Sequence, residues 1–323
     1  MQVLVVGYGS IGKRHVKNLL NLDNIEKITV CSKIKPIQKE VNDNGKVDFV
    51  ESFDYLINYQ SLHLPVDFAI IANETYKHVD TAILLAERGI HLFIEKPISH
   101  NLERVEILKE VADLKKLKIF VAYNLRFLGA IQKIKYELDR GAIGQPYFAQ
   151  IEVGQYLPNW RPNTDYRKSY SADSMRGGGV SLDLSHEVDY MCYLFGMPKS
   201  WKTFKTKVST LEINSDDLFE GIYQFDNGFI CNIHMDYLQE IKKRTLRVVG
   251  SEGTISLDMV GKHMEIADGN KRQCLNDESL FDTERTYIDE LCHFIDAIKN
   301  DNSPLISLDN GITTLKLLED KCV

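Results

Sequence analysis

The chain is short of the features that mark membrane, nucleic-acid and disulfide-stapled proteins. Its 323 residues carry six cysteines, Cys31, Cys192, Cys231, Cys274, Cys292 and Cys322, with no C-x-x-C pair among them. Scattered thiols in a chain of this size fit a reducing compartment and argue against a disulfide framework or a structural zinc site. The histidines and cysteines show no ligand spacing, so no metal is expected. No apolar run approaches the roughly 18–20 residues of a membrane span, and no secretory signal precedes the first strand. The expected location is therefore the cytoplasm. Cationic charge is also short: 39 Lys and Arg against 46 Asp and Glu leave −7, which is no footprint for nucleic acid. Internal repeats and low-complexity segments are absent. The remaining composition, 44% hydrophobic and 26% charged, is that of an ordinary globular chain with length for two cores.

What the sequence does have is concentrated at its start. Met1 to Val6 (MQVLVV) suits a strand buried on both faces, and it runs into Gly7-Tyr8-Gly9-Ser10-Ile11-Gly12. A helical pattern follows through Val16, Leu19 and Leu20. Strand, G-x-G-x-x-G and helix in that order match a dinucleotide-binding βαβ unit. Gly7 would allow the tight turn, Gly9 the approach of the pyrophosphate, and Gly12 close packing of helix on strand. The backbone of Ser10 and Ile11, at the positive end of the helix dipole, would hold the phosphates.

A second strand, Lys27 to Cys31, ends where such sites choose between cofactors. An acid there accepts hydrogen bonds from the ribose 2′-hydroxyl of NAD and repels a 2′-phosphate. This chain offers Ser32, Lys33 and Lys35, with no acid until Glu40, which favours NADP over NAD. Further strands are expected at Val47–Val50, Val66–Ala72, Ile90–Ile94 and Lys118–Ala122. Helices are expected at Val79–Arg88, closed by Gly89, and near Leu102–Leu114. Alternating strands and helices predict an α/β fold, with an N-terminal Rossmann doubly wound parallel sheet over residues 1–122. Ligands of such sheets lie at the carboxyl ends of the strands, where Asn73, His78, Glu95 and Lys96 fall.

Past residue 122 the pattern changes. A helix is expected from Tyr123-Asn124-Leu125-Arg126 to about Arg140, with Arg126 a candidate substrate contact, followed by a strand at Gln145–Gly154. Strand patterns then dominate from Trp201 to Ile266, with hairpin turns at Asp226-Asn227-Gly228 and at Gly250–Gly253. The basic run Lys242-Lys243-Arg244 reads as a solvated sheet edge. Between these regions lies a loop rich in aromatics and arginine: Tyr156, Trp160, Arg161, Asp165, Tyr166, Arg167 and Tyr170. It reads equally as a clasp for a phosphorylated or carboxylated sugar and as a subunit contact. A helix starting near Asp183 would set Asp183, His186, Glu187 and Tyr190 on one side. His186 is then the natural proton relay, with Asp183 orienting it and Glu187 as the alternative proton-transfer group.

The segments GYGSIG, IANETYKH, FIEKPIS and GGGVSLDLSHEVDY together resemble the Gfo/Idh/MocA oxidoreductases, named for glucose–fructose oxidoreductase and inositol dehydrogenase. The similarity spans the whole chain, including the helical segment Tyr287–Ile298 and SPLISLDNG after it. It implies a C-terminal α+β domain, residues 123–323, with a large open, mainly antiparallel sheet that mediates homodimer or homotetramer formation. It also implies that Glu95 lies near the nicotinamide ribose and that Lys96 faces nicotinamide and substrate. Two positions depart from the family pattern. Glu74 stands where proline is common, and Asp183 and His186 are three apart where four is usual. The expected activity is hydride transfer to or from a hydroxyl or keto carbon of a sugar, sugar phosphate or nucleotide sugar. The partner is thus a small carbohydrate, with no nucleic acid and no membrane. The altered spacing leaves open a catalytically silent dinucleotide-binding sensor.

Overall fold

Strand β1 (Gln2–Val6) is buried along almost its whole length because it is an inner strand of a parallel sheet. The computed structural model describes residues 1–33, 45–53, 66–269 and 271–319. Lys35, Glu40 and Cys322 lie outside the described residues. The chain forms two units. Met1–Ala122 and Tyr287–Ile312 make the first; Tyr123–Thr286 and the chain from Thr313 make the second.

In the first unit β2 (Lys27–Cys31), β3 (Val47–Val50), β4 (Phe68–Ile71), β5 (His91–Ile94) and β6 (Ile119–Val121) join β1 in the order β3-β2-β1-β4-β5-β6. Every pairing is parallel. The strand order reverses between β1 and β4, which creates a crevice at the carboxyl ends of those strands. Helix α1 (Ser10–Leu20) follows β1, and the helices His78–Ala86 and Val105–Lys115 follow β4 and β5. The last begins later than the sequence pattern suggests because Arg104 takes the left-handed conformation, φ 60°.

The long helix Thr283–Lys299 is part of this unit from Tyr287 onward. That differs from an uninterrupted division at residue 122, and packing explains it. Phe294 sets its ring 5.5 Å from Phe68 and 5.7 Å from Phe93. The stripe of Leu291, Phe294 and Ile295 is thereby buried.

The second unit is built on an eight-stranded sheet. Its strands are β7 (Pro146–Gly154), β8 (Ser200–Thr206), β9 (Leu218–Gln224), β10 (Ile230–Asp236), β11 (Lys243–Gly250), β12 (Gly253–Asp258), β13 (His263–Asp268) and β14 (Lys271–Leu275). They lie in the order β14-β13-β12-β11-β7-β10-β9-β8. All pairings are antiparallel except β7 with β10. Burial alternates along these strands, as in β9, because one face is covered and the other open. Both expected hairpins form, β9–β10 and β11–β12.

The basic run is no sheet edge. β11 lies between β12 and β7, Lys243 pairs with Glu152 at 2.6 Å, and Arg244 reaches the buried Glu187. The expected helix after Tyr123 is also interrupted. A single turn, Asn124–Phe127, is followed by extended Leu128 and then the helix Gly129–Asp139. Among the described residues no helix is long and apolar enough to cross a membrane.

Candidate active site

The glycine loop is shaped by what its backbone meets. Gly7 has φ 103°, and a side chain there would run into the carbonyl of Ala72. A side chain at Gly12 would strike the carbonyl of Gly7, so loop and helix close on each other only without one. Gly9 differs: a Cβ there meets nothing within 4 Å. Gly9 also caps α1 without a side chain to take its first N–H groups, leaving the amides of the Ser10-Ile11 turn for an anion. The open position at Gly9 and those uncapped amides fit a dinucleotide pyrophosphate. At the end of β2, Ser32 is held by its own N–H, which donates to the Val50 carbonyl at 2.9 Å, and Lys33 is exposed.

At the ends of β4 and β5 the candidate residues brace one another. Asn73 donates its Nδ2 to Thr81 at 3.0 Å, and its buried Oδ1 makes no hydrogen bond. His78 is buried, with Nδ1 3.0 Å from the Pro97 carbonyl and Nε2 3.1 Å from that of Asn73. Burial lowers its pKa despite those carbonyls. A neutral ring has one N–H, so it donates to one of these two carbonyls while its other nitrogen rests against the second. The Lys96–Pro97 peptide is cis, and Lys96 is half-buried beside it. Glu95 is buried, and its Oε1 lies 2.6 Å from Nε2 of His15 on α1.

His15 and Glu290 escaped the sequence reading. His15 falls one turn into the helix, on the face that α1 presses against the sheet. Glu290 shares an i, i+4 row with Thr286 and Phe294, all three buried. A carboxylate in an otherwise inward-facing row was the available signal.

In the second unit the helix near Asp183 is broken. A short turn, Val180–Asp183, ends there, and a separate helix, His186–Phe195, begins after Leu184 and Ser185. Asp183 and His186 do not share one helical face. Asp183 accepts a hydrogen bond from the Tyr237 hydroxyl at 2.6 Å and another from Tyr170. His186 packs edge-on against Tyr123 with ring centres 5.5 Å apart. Glu187 is fully buried and accepts both Nε and Nη2 of Arg244, at 2.7 and 2.9 Å. Its charge is spent inside the fold.

The arginines of this unit are treated similarly. Arg126, 4% exposed, forks onto Asp189 at 2.9 and 2.7 Å. Arg167 is exposed but donates to Asp165 at 2.8 and 3.0 Å and to Glu212 at 3.2 Å. Arg161 sits 5.7 Å from the centre of the Tyr170 ring. Trp160 donates Nε1 to the Gln155 carbonyl at 3.0 Å and packs edge-on to Tyr237. Tyr156 is half-buried, its backbone N–H on the Gln239 carbonyl at 2.7 Å. The triple glycine admits protein rather than ligand: side chains at Gly178 and Gly179 would meet the Tyr170 backbone and the Asp216 carboxylate.

A six-stranded parallel sheet with an open glycine cradle at its switch point has the architecture of a dinucleotide-binding domain, and a large mixed sheet forms the second unit. Sequence comparison makes the family explicit. The oxidoreductase family with an NAD-binding Rossmann fold, Gfo/Idh/MocA, matches residues 1–123, and the Gfo/Idh/MocA C-terminal domain matches 131–256. The chain belongs to this family, and its class is that of NAD(P)-dependent dehydrogenases acting on CH–OH groups. It is similar to myo-inositol 2-dehydrogenase of Thermotoga maritima, 25% identical over 98% of this chain and 94% of that one. It is also similar to scyllo-inositol 2-dehydrogenase (NAD+) of Bacillus subtilis, 26% identical over 94% and 87%. Among solved structures, the WlbA dehydrogenase of Bordetella pertussis, in complex with NADH and UDP-GlcNAcA, shares the fold at TM-score 0.84 and 18% identity, covering 98% and 93% of the two chains.

Proposed function

We propose that the protein transfers hydride to or from one hydroxyl-bearing carbon of an uncharged sugar or polyol, with NADP preferred to NAD. The observation that carries this reading is the pairing, at one sheet's carboxyl edge, of the open Gly9 cradle with the Glu95-Lys96-Pro97 turn. When bound there, the nicotinamide supplies the hydride acceptor or donor. Lys96 places an ammonium at the reacting oxygen and holds the charge that develops on it. His186 takes up or returns the hydroxyl proton as an imidazole. Asp183, fastened by Tyr237, anchors the turn that leads into His186.

The choice of an uncharged substrate rests on charge accounting within the second unit. Arg126, Arg167 and Arg244 are committed to Asp189, to Asp165 and Glu212, and to Glu187. A bidentate phosphate site needs a fork that is not already filled; of the two arginines in the aromatic loop, Arg167 is filled by Asp165 and Glu212, while Arg161 lies against the Tyr170 ring. The two inositol dehydrogenases among the relatives act, by name, on neutral polyols. Ser32 and Lys33 at the end of β2 support NADP, since a carboxylate there would repel its 2′-phosphate. The open sheet face, with Phe204 58% and Ile222 50% exposed, supports a homo-oligomer formed through it.

A substrate panel tests the reading: inositols and free sugars against sugar phosphates and nucleotide sugars, followed at the nicotinamide absorbance with either cofactor. Turnover on the neutral set, with a lower Kd for NADP+ than for NAD+, is expected. Higher kcat/KM on phosphorylated sugars, or calorimetry in which neither dinucleotide binds, would overturn it.

A further inference from the structure

Three ionisable groups meet inside the first unit. His15 on α1, Glu95 at the end of β5 and Glu290 on the long helix bring one ligand-type atom each within 4.8 Å of one another. All three are buried, Glu290 completely. Neither oxygen of Glu290 has a hydrogen-bond partner. A metal does not suit this cluster. Nε2 of His15 and Oε1 of Glu95 are 2.6 Å apart, a hydrogen-bond length, whereas two donors on one tetrahedral zinc stand about 3.3 Å apart. The arrangement suits protons. A buried carboxyl with no donor to stabilise its anion keeps its proton, and burial first, then the charge of Glu95, push Glu290 well above the ordinary carboxyl range. The groups that face it are Glu95 and His15, and beyond Glu95 stands His78, within reach of the Glu95 charge.

We propose that Glu290, acting through Glu95 and His15, sets the preference between oxidised and reduced dinucleotide by giving up its proton when the cationic pyridinium form binds. This rests on the functional reading above, in which the Glu95-Lys96 turn lies at the nicotinamide end of the site. The positive ring favours the ionised carboxyl pair, and the proton leaves to solvent. The neutral dihydronicotinamide exerts no such pull. Glu290 is thus a positioning residue for charge, with no contact to substrate required of it. Linkage then makes oxidised-cofactor affinity rise with pH, by up to about tenfold per unit where a whole proton is released. Affinity for the reduced form stays flat.

Calorimetric titration with NADP+ and NADPH, in buffers of differing ionisation enthalpy, reads the proton directly. The wild-type protein should release protons with NADP+ and none with NADPH. Glu290→Gln, and separately Glu290→Met, should abolish that release and flatten the pH dependence of the NADP+ Kd. An unchanged NADPH Kd shows that each variant is folded. Release that persists in both variants assigns the proton to another group, such as Lys96, and overturns the proposal. Equal proton release with both cofactors overturns it too. Binding of neither cofactor to the wild-type protein removes the underlying functional reading instead, and this inference with it.

Discussion

Buried charge is handled in opposite ways in the two units. In the second, each buried acid described above meets a dedicated donor: Asp189 with Arg126, Glu187 with Arg244, Asp183 with Tyr237. In the first, Glu95 and Glu290 lie together with a single histidine beside them, bonded to Glu95 alone, and all three are buried. Satisfied pairs specify a fold and tend to be inert. An under-satisfied pair costs stability, and such costs gather where function needs them. The comparison teaches that the cofactor unit holds charge in reserve while the sheet unit uses its charge as scaffold.

The largest effect expected from that contrast is at Lys96. Lys96→Met removes the ammonium at the proposed reacting oxygen and should lower kcat by about 10²- to 10⁴-fold. Dinucleotide binding measured by fluorescence or calorimetry should persist. A variant with near-wild-type turnover would break the assignment of function to this turn.

Scaffold charge should answer in stability instead. Arg126→Ala leaves Asp189 buried and uncompensated, at a cost of about 3–5 kcal/mol in urea or thermal unfolding. The paired change Arg126→Met with Asp189→Leu should recover most of it. A single variant as stable as wild type would show that the pair is not scaffold.

Glu290 should behave the other way. An acid whose folded pKa lies above its unfolded value withdraws stability as pH rises past about 4.3. Glu290→Gln should therefore match wild type at pH 4 and be the more stable protein at pH 7, judged by Tm. A variant less stable than wild type at pH 7 would place Glu290 with the scaffold.

The smallest effect concerns His234 on the open sheet face, 2.9 Å from Asp236 and 2.6 Å from Glu220. The hydrogen bond with Asp236, against partial burial and with help from Glu220, lifts its pKa from 6.5 to about 9. Its folded pKa is raised, so the stabilisation is complete below about pH 6.5 and lost as pH climbs through 9. His234→Gln should flatten Tm over that interval by a small margin.

Much of this was legible in the chain. The apolar strands alternating with helices announced a parallel sheet, and Glu95-Lys96-Pro97 does fall at the carboxyl end of β5. What Gly178 and Gly179 make room for was not legible, because the Tyr170 backbone and the Asp216 carboxylate reach them only in the folded chain. The break after Asp183 was hidden as well, since helical spacing continues across Leu184 and Ser185 on paper. Arg126, Glu187 and Arg167 read as open groups only while their partners were unknown.

By itself the sequence determined the strands and helices of the first sheet, their alternation and the glycine loop, because each follows from hydrogen bonding and side-chain period over a few neighbouring residues. Tertiary structure alone decided which arginine neutralises which acid, that the helix from Tyr287 returns to the first sheet, and that Glu290 comes to rest beside Glu95. Those outcomes depend on packing between segments far apart in the chain, where burial rather than local pattern sets what a charged side chain can do.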